Sequence, residues 1–223
     1  MRRHRLLSLL FAVLFAAPLW AGQILDLGAF HGSEVPARDG DEWLGLFCNQ
    51  DSCTVAPTRV RVERFRDMSD GENETTGRSV SIDGLPDELV CLLKNVPGIE
   101  AGSVPTVPDR DIVDDRDKAT VVYNGVTYHL RRSLPEPNAL DDPARLLLRG
   151  EGKVQTIAVE YKLDDGGPVW TVQWAGDLDR DGRLDLIVSC DGYNFSALEL
   201  FLSSKAREGE LVRAVATIHH VGC

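Results

Sequence analysis

The side chains best suited to chemistry in this sequence lie in one short acidic stretch, residues 176–188. Three carboxylates occupy alternate positions, a glycine follows the third, and a fourth carboxylate comes four positions after the third. Calcium binds about six to eight oxygen ligands, and a loop supplies most of them from side chains at positions 1, 3, 5 and 9 and a carbonyl at position 7. The spacing therefore predicts one calcium ion held by Asp177, Asp179, Asp181, the carbonyl of Arg183, and Asp185.

The residues on both sides of this loop have the two-residue period of β-strands rather than the period of helices. Apolar side chains recur at every second position: Trp170, Val172 and Trp174 before the loop, and Leu184, Leu186 and Val188 after it. An EF-hand needs flanking helices and a bidentate glutamate at position 12 of the loop, where this chain has Val188. The sequence therefore places the acidic loop between two strands.

The stretch 176–188 resembles the calcium loop of the FG-GAP/VCBS type, which occurs in integrin-like propeller blades and in many secreted bacterial proteins. The resemblance extends over residues 168–203 and implies the calcium ligands and a β environment. A propeller requires several blades, and repeat folds need at least about three units for stability. Because the sequence has no second Asp-x-Asp-x-Asp-Gly, we expect no complete propeller, and the ligand binding of integrins is not transferred to this chain.

The role expected for the calcium ion is structural. Aspartate and glycine also favour metal-free turns, but four carboxylates within nine residues repel one another when no counter-ion is present. A calcium ion would act as a staple at the corner between the two strands, so that folding and binding are coupled. We therefore predict one structural calcium ion and no other cofactor.

The first 21 residues have the features of a secretory signal peptide. Three arginines precede an apolar run at 6–17, which is too short to span a bilayer, and cleavage is expected after Ala21. An uncleaved signal anchor is the competing interpretation. The sequence thus predicts a secreted or periplasmic protein with no membrane insertion after cleavage.

The chain is acidic, with a formal net charge of −11. Removal of residues 1–21 takes away three arginines and no acid, which leaves −14 on the mature chain. This charge argues against nucleic acid and anionic membranes as partners, and it suits divalent cations or a basic partner. Because charge also keeps a secreted protein soluble, the sequence leaves a protein or glycan partner open.

Five cysteines are expected to lie in an oxidising compartment, in which disulfides persist. Cys48 and Cys53 are close enough in sequence to form a disulfide across a turn. A bond between Cys190 and Cys223 would hold the carboxyl terminus beside the metal loop. Cys91 lies in an apolar strand and is expected to be a buried free thiol. Sequence alone does not fix these pairings.

The remaining pattern predicts a mainly β fold of antiparallel strands and hairpins, arranged as a meander or sandwich. Asn124-Gly125, within residues 120–130, fits a two-residue type I′ hairpin. A proline-rich connection at 131–144 separates an N-terminal β region (22–130) from a C-terminal one (145–223), and a single domain over 22–223 is the alternative. Other strands are expected at 43–47, 58–65, 78–82, 89–93, 145–149, 154–162, 168–175, 184–190, 197–203 and 211–221, with an extended lead-in at 22–42 and a long irregular connection at 94–118.

No catalytic residue is predicted, because the sequence lacks Gly-x-Ser-x-Gly, His-Glu-x-x-His and a phosphate-binding loop. His219 and His220 near two cysteines also allow a zinc site, which is a weaker interpretation than a strand end with a disulfide. The preferred hypothesis is a non-catalytic binding or envelope-associated protein that contains calcium. The alternatives are a secreted hydrolase with calcium beside its cleft, and an adhesin or inhibitor whose acidic loops 67–77 and 109–118 bind a basic partner.

Overall fold

The computed structural model describes residues 22–49, 52–84, 88–108, 112–115, 118–135, 142–160 and 167–221. The predicted signal peptide lies outside these ranges, which contain a 3-10 turn at Ser203–Lys205 but no α-helix. All other regular elements in these ranges are β-strands: β1 (Gln23–Leu25), β2 (Gly28–Phe30), β3 (Glu42–Asn49), β4 (Ser52–Phe65), β5 (Gly77–Ile82), β6 (Leu89–Lys94), β7 (Gly102–Val104), β8 (Val113–Asp115), β9 (Lys118–Tyr123), β10 (Val126–Ser133), β11 (Ala144–Gly150), β12 (Lys153–Glu160), β13 (Val169–Gly176), β14 (Asp185–Asp191), β15 (Phe195–Leu202) and β16 (Arg213–Val221).

The strands form three antiparallel sheets. The first has the order β1-β6-β3-β4-β5-β2, with β7 paired to β4. The second is a meander in the order β12-β11-β10-β9-β8, and the third is a meander in the order β13-β14-β15-β16. The prediction of a mainly β, antiparallel fold that is not a propeller is confirmed.

The third sheet lies between the other two, because its two faces contribute to different cores. Ile187 and Leu200 pack into the core of the first sheet. Leu186, Val188 and Phe201 pack into the core of the second sheet. A strand with both faces buried has a nearly continuous apolar sequence, which explains the run from Leu184 to Val188. The acidic loop between β13 and β14 therefore belongs to the middle layer of the molecule.

The turn between β9 and β10 agrees with the sequence prediction. Asn124 has a φ of 47° and Gly125 has a φ of 79°, as both central positions of a type I′ turn require. The same sheet contains strands from both sides of residues 131–144, and β10 continues to Ser133. The division into regions 22–130 and 145–223 stays a prediction.

Four short strands occur in segments for which the sequence predicted no strand, the extended lead-in and the irregular connection. β1 and β2 lie within 22–42, and β7 and β8 lie within 94–118. Each has three residues, which is too short to show a clear two-residue period. Their pairing with neighbouring strands, rather than their own sequence, makes them strands.

Cys48 and Cys53 form a disulfide, as predicted, and they are register partners in the β3–β4 hairpin. Cys91 is a free and fully buried thiol, and its burial raises its pKa. Cys190 is also buried and unbridged among the described residues. Cys223 lies outside the described residues, so its pairing with Cys190 stays a prediction. No helix in the described ranges has the length and apolar character needed to cross a membrane.

Candidate metal centre

The ends of β13 and β14 bring three of the predicted ligands together. One oxygen from each of Asp177, Asp179 and Asp185 lies within 4.8 Å of the others. Asp177 is 3% exposed and Asp185 is fully buried. Carboxylate oxygens at this spacing could hold a metal ion, and oxygen is the ligand that calcium prefers.

Asp185 connects the loop to the 3-10 turn that follows β15. Its Oδ2 accepts a hydrogen bond from the Leu178 N–H at 2.8 Å. Its Oδ1 accepts hydrogen bonds from the N–H and the Oγ of Ser203 at 2.8 and 3.0 Å. These bonds fix the orientation of the carboxylate at the point where the middle sheet enters the core.

Asp177 fixes the turn inside the loop. Its two carboxylate oxygens accept hydrogen bonds from the Asp181 N–H at 2.9 Å and from the Gly182 N–H at 2.8 Å. Gly182 has a φ of 86°, which is the left-handed region that favours glycine. The glycine after the third aspartate is therefore required by the backbone of this turn.

Asp179 has an oxygen with no protein partner. Its Oδ2 accepts a hydrogen bond from the Oγ of Ser204. Its Oδ1 is buried and has no hydrogen-bond partner among the described residues. A buried carboxylate oxygen without a partner is costly. A cation bound among the three carboxylates would satisfy this atom.

The other two predicted ligands are placed differently. The carboxylate of Asp181 binds the guanidinium of Arg183, with Oδ2 at 2.7 Å from Nη2 and 3.0 Å from Nε. Its Oδ1 also lies 3.2 Å from the Ser203 Oγ, the hydroxyl group that contacts Asp185. The side chain of Asp181 is thus next to the three-carboxylate group but not part of it. Ligation by Asp181 and by the carbonyl of Arg183 stays a prediction.

Two other parts of the chain hold the loop in place. Arg180 donates hydrogen bonds to the carbonyls of Ser103 and Glu100 at 3.1 and 3.2 Å. The side-chain amide of Asn124, from the β9–β10 turn, donates to the carbonyl of Gly182 at 2.9 Å. Segments near both outer sheets therefore contact the loop of the middle sheet.

Sequence reasoning missed Ser203, Ser204, Arg180 and Asn124 as parts of this site. The two serines lie about twenty residues after the loop, and no local pattern links them to it. The only available signal was the end of the apolar strand before Ser203. Arg180 and Asn124 act through contacts that the sheet topology creates, and the loop sequence does not encode these contacts.

The electrostatics of the group are unfavourable without an ion. Burial, helped by the nearby charge of Asp179, raises the pKa of Asp185 to about 7. The hydrogen bond from the Ser203 N–H lowers this pKa and so offsets part of the increase. Burial and the neighbouring Asp177 likewise raise the pKa of Tyr123 to about 12. The site therefore opposes further negative charge and would favour a cation.

The metal-free protein is expected to lose stability as the pH rises from about 4 to about 7. Folded Asp185 keeps its proton up to about pH 7, whereas the ordinary pKa of 3.8 applies in the unfolded chain. Deprotonation therefore favours the unfolded chain in this window, by roughly 4 kcal/mol at most, and has no further effect above it. Urea unfolding with a chelator at several pH values measures the slope.

The variant Asp185→Asn isolates this contribution. Burial also raises the pKa of Glu199, so some slope of the same sign is expected to remain in the variant. An equal slope in the parent and in Asp185→Asn would contradict the assignment to Asp185.

A cleft of about 520 Å³ lies at the opposite end of β14, where Asp191 lines it. Its wall includes a contact of 2.8 Å between His31 Nδ1 and Asp67 Oδ2. A second pair joins His220 Nε2 to Asp26 Oδ1 at 3.1 Å. Since Asp185 begins β14 and Asp191 ends it, about 20 Å separates the cleft from the metal centre.

Comparison with known proteins identifies no relative with this site. The resemblance of residues 168–203 to FG-GAP/VCBS loops rests on the loop residues alone and stays a prediction. The chain matches no family model, no curated protein and no solved structure.

Proposed function

We propose that the chain is a secreted or periplasmic β protein in which one calcium ion holds together the junction of three sheets. One observation carries the proposal. Three carboxylates, two of them almost fully buried, have oxygens within 4.8 Å of one another, and one buried oxygen of Asp179 has no partner. A divalent cation would neutralise the repulsion between these carboxylates and complete the coordination of that oxygen.

The donor set favours calcium over other metals. All three donors are carboxylates, whereas zinc and copper sites use histidine or cysteine. The remaining oxygens would come from Asp181 and the carbonyl of Arg183, at positions 5 and 7 of the loop. A loop with this number of oxygens suits calcium, which takes about six to eight oxygen ligands, better than magnesium, which demands a strict octahedron.

The surroundings favour a structural role for the ion. The carboxylates are held by backbone groups of the loop and by the 3-10 turn, so the ion would connect the start of β14 to the end of β15. The cleft with histidines lies at the other end of β14. We therefore assign the protein a non-catalytic binding or envelope-associated role, with the ion as a staple.

Two observations support the extracytoplasmic location. The Cys48–Cys53 disulfide is typical of an oxidising compartment. Residues 1–21 have the charge and apolar pattern of a signal peptide. Mass spectrometry of the protein purified from the periplasm or medium, without reductant, would report both the cleavage site and the disulfide.

A calcium titration of the chelator-treated protein tests the metal centre. We expect one site per chain by calorimetry, and a higher melting temperature with calcium than with chelator. Magnesium at the same concentration should raise the melting temperature less. If calcium gives no heat of binding and leaves the melting temperature unchanged, the acidic loop is a metal-free turn.

The variant Asp181→Asn tests how many carboxylates bind the ion. Because Asp181 pairs with Arg183 in this structure, its loss should weaken calcium binding by less than about tenfold, or 1.4 kcal/mol. Calorimetry on Asp181→Asn and Asp179→Asn in parallel makes the comparison. Equal losses in both variants would show that Asp181 leaves Arg183 and joins the coordination shell.

A second candidate function is supported by the cleft. The buried carboxylate of Asp67 accepts hydrogen bonds from the N–H and Oγ of Ser69 and also binds His31, an arrangement that orients an imidazole for acid–base work. A secreted hydrolase would use this cleft rather than the metal centre. Chromogenic glycoside and phosphoester substrates test it, with Asp67→Asn as the control; no turnover by the parent removes this candidate.

A further inference from the structure

The outer face of the second sheet is basic, in contrast to the acidic chain. Alternate residues of β9, β10 and β11 face the core: Ala119, Val121, Tyr128, Leu130, Ala144, Leu146 and Leu148. The residues between them face away from that core. The outward positions include five basic side chains, which we name the basic face: Lys118, His129, Arg131, Arg145 and Arg149.

The strand register concentrates these charges. Arg131 is the partner of Leu147 on one side and of Lys118 on the other. Arg145 and Arg149 lie two positions before and after Leu147 on β11, about 13 Å apart. Diagonal neighbours on adjacent strands are about 7–8 Å apart, so both arginines are near Arg131.

Within the part of the chain that the structure describes, few acids compensate this charge. Among the described residues, none of the salt bridges involves Lys118, Arg131, Arg145 or Arg149. An acidic residue enters the register at the β8 edge, where Asp115 is the partner of Lys118. Like charges directly opposite each other on neighbouring strands destabilise a sheet. Arg131 and Lys118 are such a pair, so a bound anion would relieve their repulsion.

The basic face also carries exposed aliphatic side chains. Val122, Val154 and Val159 are 53%, 63% and 45% exposed, and their register partners place them among the outward residues. The outward positions of β9 to β12 have no phenylalanine, tyrosine or tryptophan. Proteins that bind single-stranded nucleic acid commonly stack bases on such rings, so the face lacks that feature of single-strand binders.

We propose that the basic face docks an acidic segment of a partner protein in an extended conformation. Arginine binds carboxylates with paired hydrogen bonds, and protein interfaces are enriched in arginine and depleted in lysine. Carboxylates of the segment would bind Arg131, Arg145 and Arg149, and its aliphatic residues would cover the exposed valines. A membrane is the weaker fit, because the cations are few and no aromatic anchor accompanies them.

Binding of a synthetic peptide of alternating glutamate and valine tests this proposal. Fluorescence anisotropy at low salt should detect binding to the full-length protein, and about 0.5 M salt should abolish it. The variant Arg145→Glu/Arg149→Glu should weaken binding by at least about tenfold. The matched control Arg59→Glu/Arg64→Glu changes exposed arginines on β4 by the same charge and should bind like the parent.

Other outcomes overturn the proposal. The first is that a peptide with glutamine in place of glutamate binds as tightly as the acidic peptide. The second is that Arg145→Glu/Arg149→Glu binds the acidic peptide as tightly as the parent does. The third is that the parent prefers vesicles that contain phosphatidylglycerol to the acidic peptide. If Arg145→Glu/Arg149→Glu fails to fold, Arg145→Gln/Arg149→Gln replaces it in the test, because it removes the two charges without adding acids. This variant should also lose peptide binding. A cooperative thermal melt reports folding in every variant, and it does so whether or not the chain binds calcium.

Discussion

Replacing Asp179 by alanine is expected to abolish calcium binding, with a loss of affinity of at least about a hundredfold, or 2.7 kcal/mol. Asp179 supplies the buried oxygen without a protein partner, and its charge lies near Asp185. Calcium at about a hundred times its dissociation constant stabilises the parent by about 2.7 kcal/mol. This stabilisation should be absent in the variant.

The same substitution should have the opposite effect on the chelated protein. Without calcium, the charge of Asp179 repels Asp185 and raises the pKa of that carboxyl. Removal of the charge should therefore leave the chelated variant at least as stable as the chelated parent. Thermal melts with calcium and with chelator measure both effects in one experiment.

Glu208→Ala is a matched control for the change in charge, since Glu208 is exposed in the turn before β16. It should bind calcium like the parent. A variant Asp179→Ala that keeps the calcium-dependent rise in melting temperature would contradict the assignment of Asp179 as a ligand. A variant that is destabilised equally with and without calcium would indicate a purely structural hydrogen bond to Ser204.

Phe201→Ala is expected to lower the free energy of unfolding by about 3–5 kcal/mol. Phe201 is 1% exposed and packs between the middle sheet and the second sheet. Its removal leaves a cavity that rigid strands on both sides cannot close. Urea unfolding in the presence of calcium measures the loss.

The control Val154→Ala should change the free energy of unfolding by less than about 0.5 kcal/mol, because Val154 is mostly exposed on β12. Phe201→Ala should still bind calcium under conditions in which it is folded, since the substitution leaves all three carboxylates in place. A loss below about 1 kcal/mol would contradict the assignment of this face of the middle sheet to the core of the second sheet.

The sequence by itself determined the features that depend on local chemistry. The two-residue period predicted the long strands around the loop, and Asn124-Gly125 predicted the type I′ turn because both residues tolerate a positive φ. The short separation of Cys48 and Cys53 predicted their disulfide. The absence of a second acidic loop predicted that the fold is not a propeller. The first three of these features depend on residues that are neighbours along the chain, and the last depends on a motif count over the whole sequence.

Part of the candidate site was also predictable. The spacing of Asp177, Asp179 and Asp185 anticipated that their carboxylates meet. The spacing did not predict that Asp181 pairs with Arg183. The carboxylate of Asp181 can bind either the guanidinium of Arg183 or a metal ion, and the spacing of the aspartates does not distinguish these two partners. It did not reveal the contribution of Ser203, which reaches Asp185 from the end of another strand.

The tertiary structure decided what depends on the order of the strands. The four-stranded sheet is the middle layer because both of its faces are apolar, with Ile187 on one face and Leu186 on the other. The sequence of one strand does not show which sheet covers each face. The register of β9, β10 and β11 placed Arg131 on the same face as Arg145 and Arg149, although Arg131 belongs to a different strand. Periodicity fixes which side of a strand a residue occupies, but only the packing of sheets decides whether that side meets a core, an ion or solvent.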